Sequence, residues 1–112
     1  MSACLFCRVI NGEIPAQVVF SNERIVAFKD INPQAPTHIL LCPVKHIPAL
    51  SQAEAEDAAV LGEIQHVAAQ VAVKGGLEGF RLVLNNGRSA GQNVDHIHYH
   101  LLGGRRLAWP PG

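Results

Sequence analysis

An excess of charge is what this chain most plainly lacks. Nine Lys and Arg balance nine Asp and Glu over 112 residues. Nucleic-acid affinity comes largely from neutralising phosphates, so a zero balance with no basic stripe argues against a nucleic-acid partner. A small phosphorylated ligand stays open, because a pocket needs only local donors. Apolar runs are short as well. None approaches the roughly 20 residues needed to cross a bilayer, so no membrane partner is expected. The N-terminal stretch "MSACLFCRVINGEIPA" has no basic start followed by an apolar core. It therefore predicts no secretory leader and a cytoplasmic location. Three cysteines, two of them three apart, are an odd set. They suit free thiols or a metal in a reducing compartment better than a disulfide framework. Repeats and low-complexity tracts are missing too, and the length fits one domain over residues 1–112.

What the chain does have is histidine in phase. "HIHYHLL" places His96, His98 and His100 at every second position, with Ile97, Tyr99 and Leu101 between them. On a strand, alternate side chains share a face. The imidazoles then line one face while the apolar residues enter the core. The rest of the pattern supplies a scaffold. "CLFCRVING" reads as a short helix stopped by Gly12. "AQVVFSNERIVAFKD" reads as a hairpin turning at Ser21-Asn22, "INPQAP" as loop, and "THILLCPV" as a central strand. Ser51 and Glu54 form a capping-box pattern, predicting a helix from about Gln52 to Lys74. Val60, Ile64, Val67 and Val71 make its buried face, and Gly75-Gly76 ends it. "GFRLVLNN" is a further strand, "NNGRSAGQN" a turn-rich loop, and "GGRRLAWPPG" irregular tail. The fold class predicted is α+β: an antiparallel five-stranded sheet with one long helix and a short N-terminal one.

Three uses of the histidines compete. Adjacent rings lie roughly 6.7 Å apart along a strand and the outer two about 13 Å apart. Closure of all three on one metal ion would strain a regular strand, although two could share one. Three solvated rings on an open face are the bland alternative. Phosphorus chemistry is the third. Neutral imidazole is a competent nucleophile near neutral pH, and a second, protonated imidazole can donate to a phosphoryl oxygen or leaving atom. His98 is the natural nucleophile, having a helper on either side. Just upstream, Gly87 and Gly91 let backbone N–H groups approach an anion, and Asn85, Gln92 and Asn93 add neutral donors.

"CLFC" is half of a zinc-site spacing, Cys4-x-x-Cys7, and two thiols packing a short helix is the other reading. Cys42 sits in an apolar strand and reads as core. His38 reads as structural and His66 as solvated.

"GQNVDHIHYHLLGGRRLAWPPG", together with "CLFCRVINGEIPA", "AFKDINPQAPTHILLCPVKHI" and "LVLNNG" in that order, resembles the histidine triad family, in its nucleotide-binding branch. The resemblance covers nearly the whole chain. It implies a purine nucleoside phosphoramidase or nucleotidyl hydrolase, with AMP or GMP groups as ligands. It also implies a homodimer with one sheet continued across both subunits. Carried onto this chain, His98 takes the nucleotidyl group and His100 contacts the phosphoryl or leaving-group region. Asp30 holds the ribose hydroxyls, and Ile14, Phe28 and Ile31 line a slot for the base. Asn85 and the backbone from Gly91 and Gln92 to Asn93 and Val94 face the phosphate. Trp109 reaches the partner's site. Cys4, Cys7, His46 and His96 would hold a structural zinc. Two departures stand out: Asn93 where relatives often carry Ser, and Asp95 where they often carry an aromatic or apolar residue. Asn93 lacks a hydroxyl to shuttle a proton. The same resemblance admits a dinucleoside polyphosphate hydrolase. A non-catalytic purine-nucleotide-binding interaction protein and a zinc-stabilised nucleic-acid module are the readings from other classes.

Overall fold

The computed structural model describes residues 3–112. Five strands form one antiparallel sheet in the order β1-β2-β3-β5-β4. Strand β1 is Val18–Ser21 and β2 is Ile25–Lys29. Their hairpin is held by Asn22, whose Oδ1 accepts from the backbone N–H groups of Arg24 and Ile25 at 2.8 Å each. That local bonding is why Asn suits a turn. β3 is Thr37–Pro43, β4 is Phe80–Leu84 and β5 is Tyr99–Gly103. Helix α1 is Leu5–Ile10, and α2 is Ala58–Lys74. β5 lies antiparallel between β3 and β4, so those two run parallel and α2 crosses one face of the sheet to join them.

Side-chain alternation divides the sheet into two faces. Ile25, Ala27, Ile39, Leu41, Tyr99 and Leu101 pack with Leu61, Ile64, Val67, Ala68 and Ala72 of α2 in the main core. Val26, Phe28, Leu40 and Cys42 turn to the opposite face and pack with Phe6 of α1. The triad histidines lie on this second, thinly covered face. Among the described residues no helix is long and apolar enough to cross a membrane.

Two expectations are corrected. The long helix starts at Ala58, not Gln52, after 3-10 turns at Leu50–Gln52 and Ala55–Asp57. Ala53 and Glu54 are extended, which interrupts the helix, and the capping box is Glu54 with Asp57, not Ser51 with Glu54. Asp57 is fixed there by Lys45 Nζ at 2.7 Å and by the Glu54 N–H at 2.9 Å. The last strand begins at Tyr99, so His96 and His98 precede it. Its pairing with β3 ends at Leu41↔Tyr99. Pro43, two residues further along β3, has no N–H with which to continue the ladder. The Ile97 N–H instead bonds the Ile47 carbonyl at 2.8 Å.

Candidate active site

Although His96 and His98 lie outside the strand, the alternation persists. Ile97 enters the main core, while His98 and His100 stay on the α1 face with ring centroids 5.1 Å apart. Both line a cleft of about 330 Å³ whose walls include Leu5, Phe6 and Val9 of α1, with Ile14, Phe28, Asp30, Ile31, Asn93 and Val94. That is within the ordinary range for a small-molecule site: mostly apolar, with a few convergent polar groups. A larger hollow of about 520 Å³ lies between Gly76–Arg81 and Gly104–Leu107, and no histidine lines it.

Backbone carbonyls and neighbouring rings fix which nitrogen of each imidazole carries the proton. His98 Nδ1 lies 2.8 Å from the His96 carbonyl, which can only accept, so Nδ1 holds the proton and Nε2 keeps its lone pair. His98 is 4 % exposed, and Phe6 stands edge-on to its ring at 4.8 Å. Burial holds its pKa below the usual histidine value, against the opposing pull of the His96 carbonyl and Asp30. His100 is pushed down to about 4, chiefly by burial and then by His98 and His38, with Asp30 opposing. Both rings are therefore neutral at pH 7 in the free protein. The expected protonated helper is instead a neutral donor there, because the site is dry and crowded with imidazoles.

Asp30 directly follows β2 at the cleft. Its Oδ1 accepts from the Asn32 N–H at 2.8 Å, and Oδ2 lies 3.4 Å from His38 Nε2. Ile31 is 98 % exposed at the cleft's edge, an unusual position for an isoleucine.

Four residues picked from the sequence lie outside the cleft walls. Gln92 is buried, and its side chain bonds backbone groups. Its Nε2 donates to Pro48 O at 2.7 Å and to Val94 O at 3.0 Å, while Oε1 accepts from the Gly87 N–H at 2.9 Å. It braces the loop that presents Asn93 and Val94. Gly91 has φ 98°, a left-handed backbone that favours glycine, and Asn85 lies beside it. Trp109 is 80 % exposed, with the Arg81 guanidinium 6.0 Å from its ring centre. Asp95, the odd residue before the triad, pairs with Arg88 at 3.0 Å on the surface.

A second constellation stands behind α1. Cys4, Cys7, His46 and His96 bring one ligand atom each within 4.8 Å of one another. His96 Nδ1 is 3.4 Å from Cys4 Sγ, 3.6 Å from Cys7 Sγ and 3.2 Å from His46 Nδ1; Cys7 Sγ is 3.4 Å from His46 Nδ1. Tetrahedral zinc sets S···N at about 3.6 Å and N···N at about 3.3 Å, so the donor set fits that ion. His96 Nε2 donates to the Pro43 carbonyl at 2.7 Å, turning the Nδ1 lone pair toward the sulfurs. Four N and S donors with no open position make a structural site.

The HIT domain pattern matches residues 11–107. This chain belongs to the HIT family. An uncharacterized HIT-like protein of Synechocystis is 50% identical over 109 residues, 96% of each chain. A maize protein named 14 kDa zinc-binding protein is 51% identical over 114 residues, covering 99% of this chain and 89% of its own. The crystal structure of a HIT family hydrolase from Legionella pneumophila superposes with TM-score 0.95 at 50% identity, covering 97% of this chain and 99% of that one. The HIT fold thus carries the cleft, the triad and the four-ligand cluster in this chain.

Sequence reasoning read His38 as structural and did not anticipate its partner in the triad. Its Nε2 lies 2.9 Å from His100 Nδ1. The available signal was its phase: in "THILLCP" it shares a face with Leu40 and Cys42, and a polar residue recurring in an apolar strand needs a partner.

Proposed function

We propose that the protein is a nucleotidyl hydrolase that cleaves the phosphorus–nitrogen bond of purine nucleoside phosphoramidates through His98. The observation that carries this reading is the proton placement on His98. With Nδ1–H held by the His96 carbonyl, the Nε2 lone pair opens on a cleft that has an apolar slot and a carboxylate. Phe28, Ile14 and Ile31 would hold the base and Asp30 the ribose hydroxyls. Asn93 and the Val94 backbone would meet the phosphoryl oxygens.

In the first step Nε2 bonds phosphorus and the P–N bond breaks. The amine leaves after gaining one proton from water, and His98 becomes a nucleotidyl imidazolium with Nδ1–H still on the carbonyl. In the second step water attacks phosphorus. The P–Nε2 electron pair returns to His98, giving the nucleoside monophosphate and releasing a proton. Dividing one displacement into two in this way is the use of a covalent nucleophile. The Legionella relative is named a HIT family hydrolase, which supports the reaction class.

Zinc on Cys4, Cys7, His46 and His96 belongs to this reading, supported by the donor distances and by the maize relative's name. Bound there, it would clasp α1 to the sheet. A cytoplasmic location also belongs to it, since an odd set of three cysteines with a Cys4-x-x-Cys7 pair suits a reducing compartment better than a disulfide framework. So does a homodimer that pairs the free edge of β4, where Phe80 is 42 % exposed; a single-subunit mass by sedimentation at micromolar concentration would exclude that.

The test is turnover of an adenosine phosphoramidate. Wild type is expected to release amine and AMP, and His98→Ala to bind AMP without releasing amine. Equal turnover by His98→Ala removes the proposal.

A further inference from the structure

We propose that His38 is a positioning residue that locks His100 in the tautomer whose Nε2–H faces the phosphoryl group. This rests on the hydrolase reading above and assigns a part to a residue outside the triad. Three hydrogen bonds carry it. The Gln34 backbone N–H lies 3.0 Å from His38 Nδ1 and can only donate, so Nδ1 accepts. The proton of neutral His38 must then sit on Nε2. That nitrogen is 2.9 Å from His100 Nδ1, which therefore accepts in turn. The proton of neutral His100 is left on Nε2, the nitrogen free of His38 on a ring that lines the cleft. The order begins in the tail, where Arg105 Nη2 donates to the Gln34 carbonyl at 2.9 Å and holds the loop that presents its N–H.

The same logic excludes another use of these groups. Asp30, His38 and His100 bring one ligand atom each within 4.8 Å, a two-histidine, one-carboxylate set. A cation there would need the lone pair of His38 Nε2. The ring proton would have to move to Nδ1, against the Gln34 N–H. The cluster is a hydrogen-bond chain with a fixed direction, set by a peptide group that cannot reverse.

A chemical consequence follows for the cleft. His100 is faced by His98 and His38, with an Asp30 carboxylate oxygen within 4.8 Å of a ring nitrogen. Its Nδ1 already receives a proton donor, so it serves as a neutral, aimed N–H. It stabilises charge on a phosphoryl oxygen without surrendering the proton, because His38 could replace that proton only by losing its own, and the peptide N–H behind it cannot supply one. The geometry thus assigns His100 to charge stabilisation and leaves protonation of the amine to water.

The experiment compares wild type, His38→Gln and His38→Leu. Gln can keep an N–H where Nε2 stood; Leu cannot. Long-range nitrogen–proton NMR of the imidazoles reads the tautomer directly. Wild type and His38→Gln are expected to hold His100 as Nε2–H, and His38→Leu to show Nδ1–H or a mixture. Nucleotidyl transfer to His98 from an adenosine phosphoramidate should fall about 100-fold in His38→Leu, the scale of losing one aimed donor. It should recover in His38→Gln. AMP affinity should change less than about threefold, since ground-state binding is not what an aimed donor supplies. Wild-type His100 protonated at Nδ1, or His38→Leu with unchanged tautomer and rate, overturns the proposal. If wild type never labels His98, the hydrolase reading falls, and the tautomer comparison alone supports or overturns the lock.

Discussion

Truncating Gln92 to Ala distinguishes a brace from a ligand contact. The side chain sits 3 % exposed and satisfies three backbone groups: the Gly87 N–H and the carbonyls of Pro48 and Val94. Removal leaves the Gly87 N–H and the Pro48 carbonyl without that partner in a half-buried setting, while the Val94 carbonyl keeps the His96 N–H at 2.9 Å. Each polar group left unmade costs about 1 kcal/mol or more, so the two together cost about 2 kcal/mol. That is a large fraction of the stability of a domain this size, typically about 5–15 kcal/mol. Urea unfolding followed by circular dichroism measures it as a lowered midpoint at unchanged slope. AMP affinity, measured by calorimetry where the variant is still folded, should weaken only through the loosened Asn93–Val94 segment, and Gln92→Glu should destabilise by a similar amount because it loses the donor to Pro48 and Val94. A variant with wild-type stability and abolished AMP binding would refute the brace and restore Gln92 as a direct ligand contact.

Other consequences are as direct. Protein purified without chelators should carry about one zinc per chain, and Cys4→Ala should carry far less with a lower melting temperature; wild type holding under about a tenth of an equivalent contradicts the site. Acid should destabilise the fold through His100. Its folded pKa of about 4 lies below the ordinary ~6.5, so between those values the unfolded chain binds a proton that the folded chain does not. Stability then falls as pH drops across that window. The gap converts to about 3 kcal/mol at most. Unfolding of wild type and His100→Gln from pH 7 to 4 checks this: the loss should be smaller in the variant, and parallel curves would contradict it. Removing the Asp57 carboxylate (Asp57→Asn) should weaken the entry to α2. The Glu54 N–H and Lys45 hold that carboxyl below its usual pKa, so its contribution is present above the ordinary carboxylate range and lost on acidification; a variant with wild-type acid stability would count against the cap.

What the sequence revealed and concealed follows from the range of the interactions involved. Phase is local. The alternation in "HIHYHLL" assigned faces to His98, His100, Ile97 and Leu101 because side-chain period depends only on extended backbone. The hairpin at Asn22 was legible for a similar reason, its bonds spanning two and three residues. Element ends were less so. The start of α2 depends on Asp57 meeting Lys45, twelve residues away. The start of β5 depends on Pro43, which belongs to another strand. Gln92 looked like a phosphate donor because amides often are, and only the fold shows its three backbone partners. His38 pairs with His100 across 62 residues. No window over the sequence holds both, although the shared face of β3 and β5 does. Cys4 and Cys7 were visible as a pair, while their approach to His46 and His96 needed α1 placed against the end of β3.

The central claim is a bond between His98 Nε2 and phosphorus, and rapid-quench trapping tests it most directly. Wild type mixed with an excess of an adenosine phosphoramidate, quenched within one turnover and mapped by peptide mass, should carry one nucleotidyl group on His98. The label should appear before AMP and vanish as substrate is exhausted. Turnover with no label on His98, or the same label elsewhere in His98→Ala, would contradict the account.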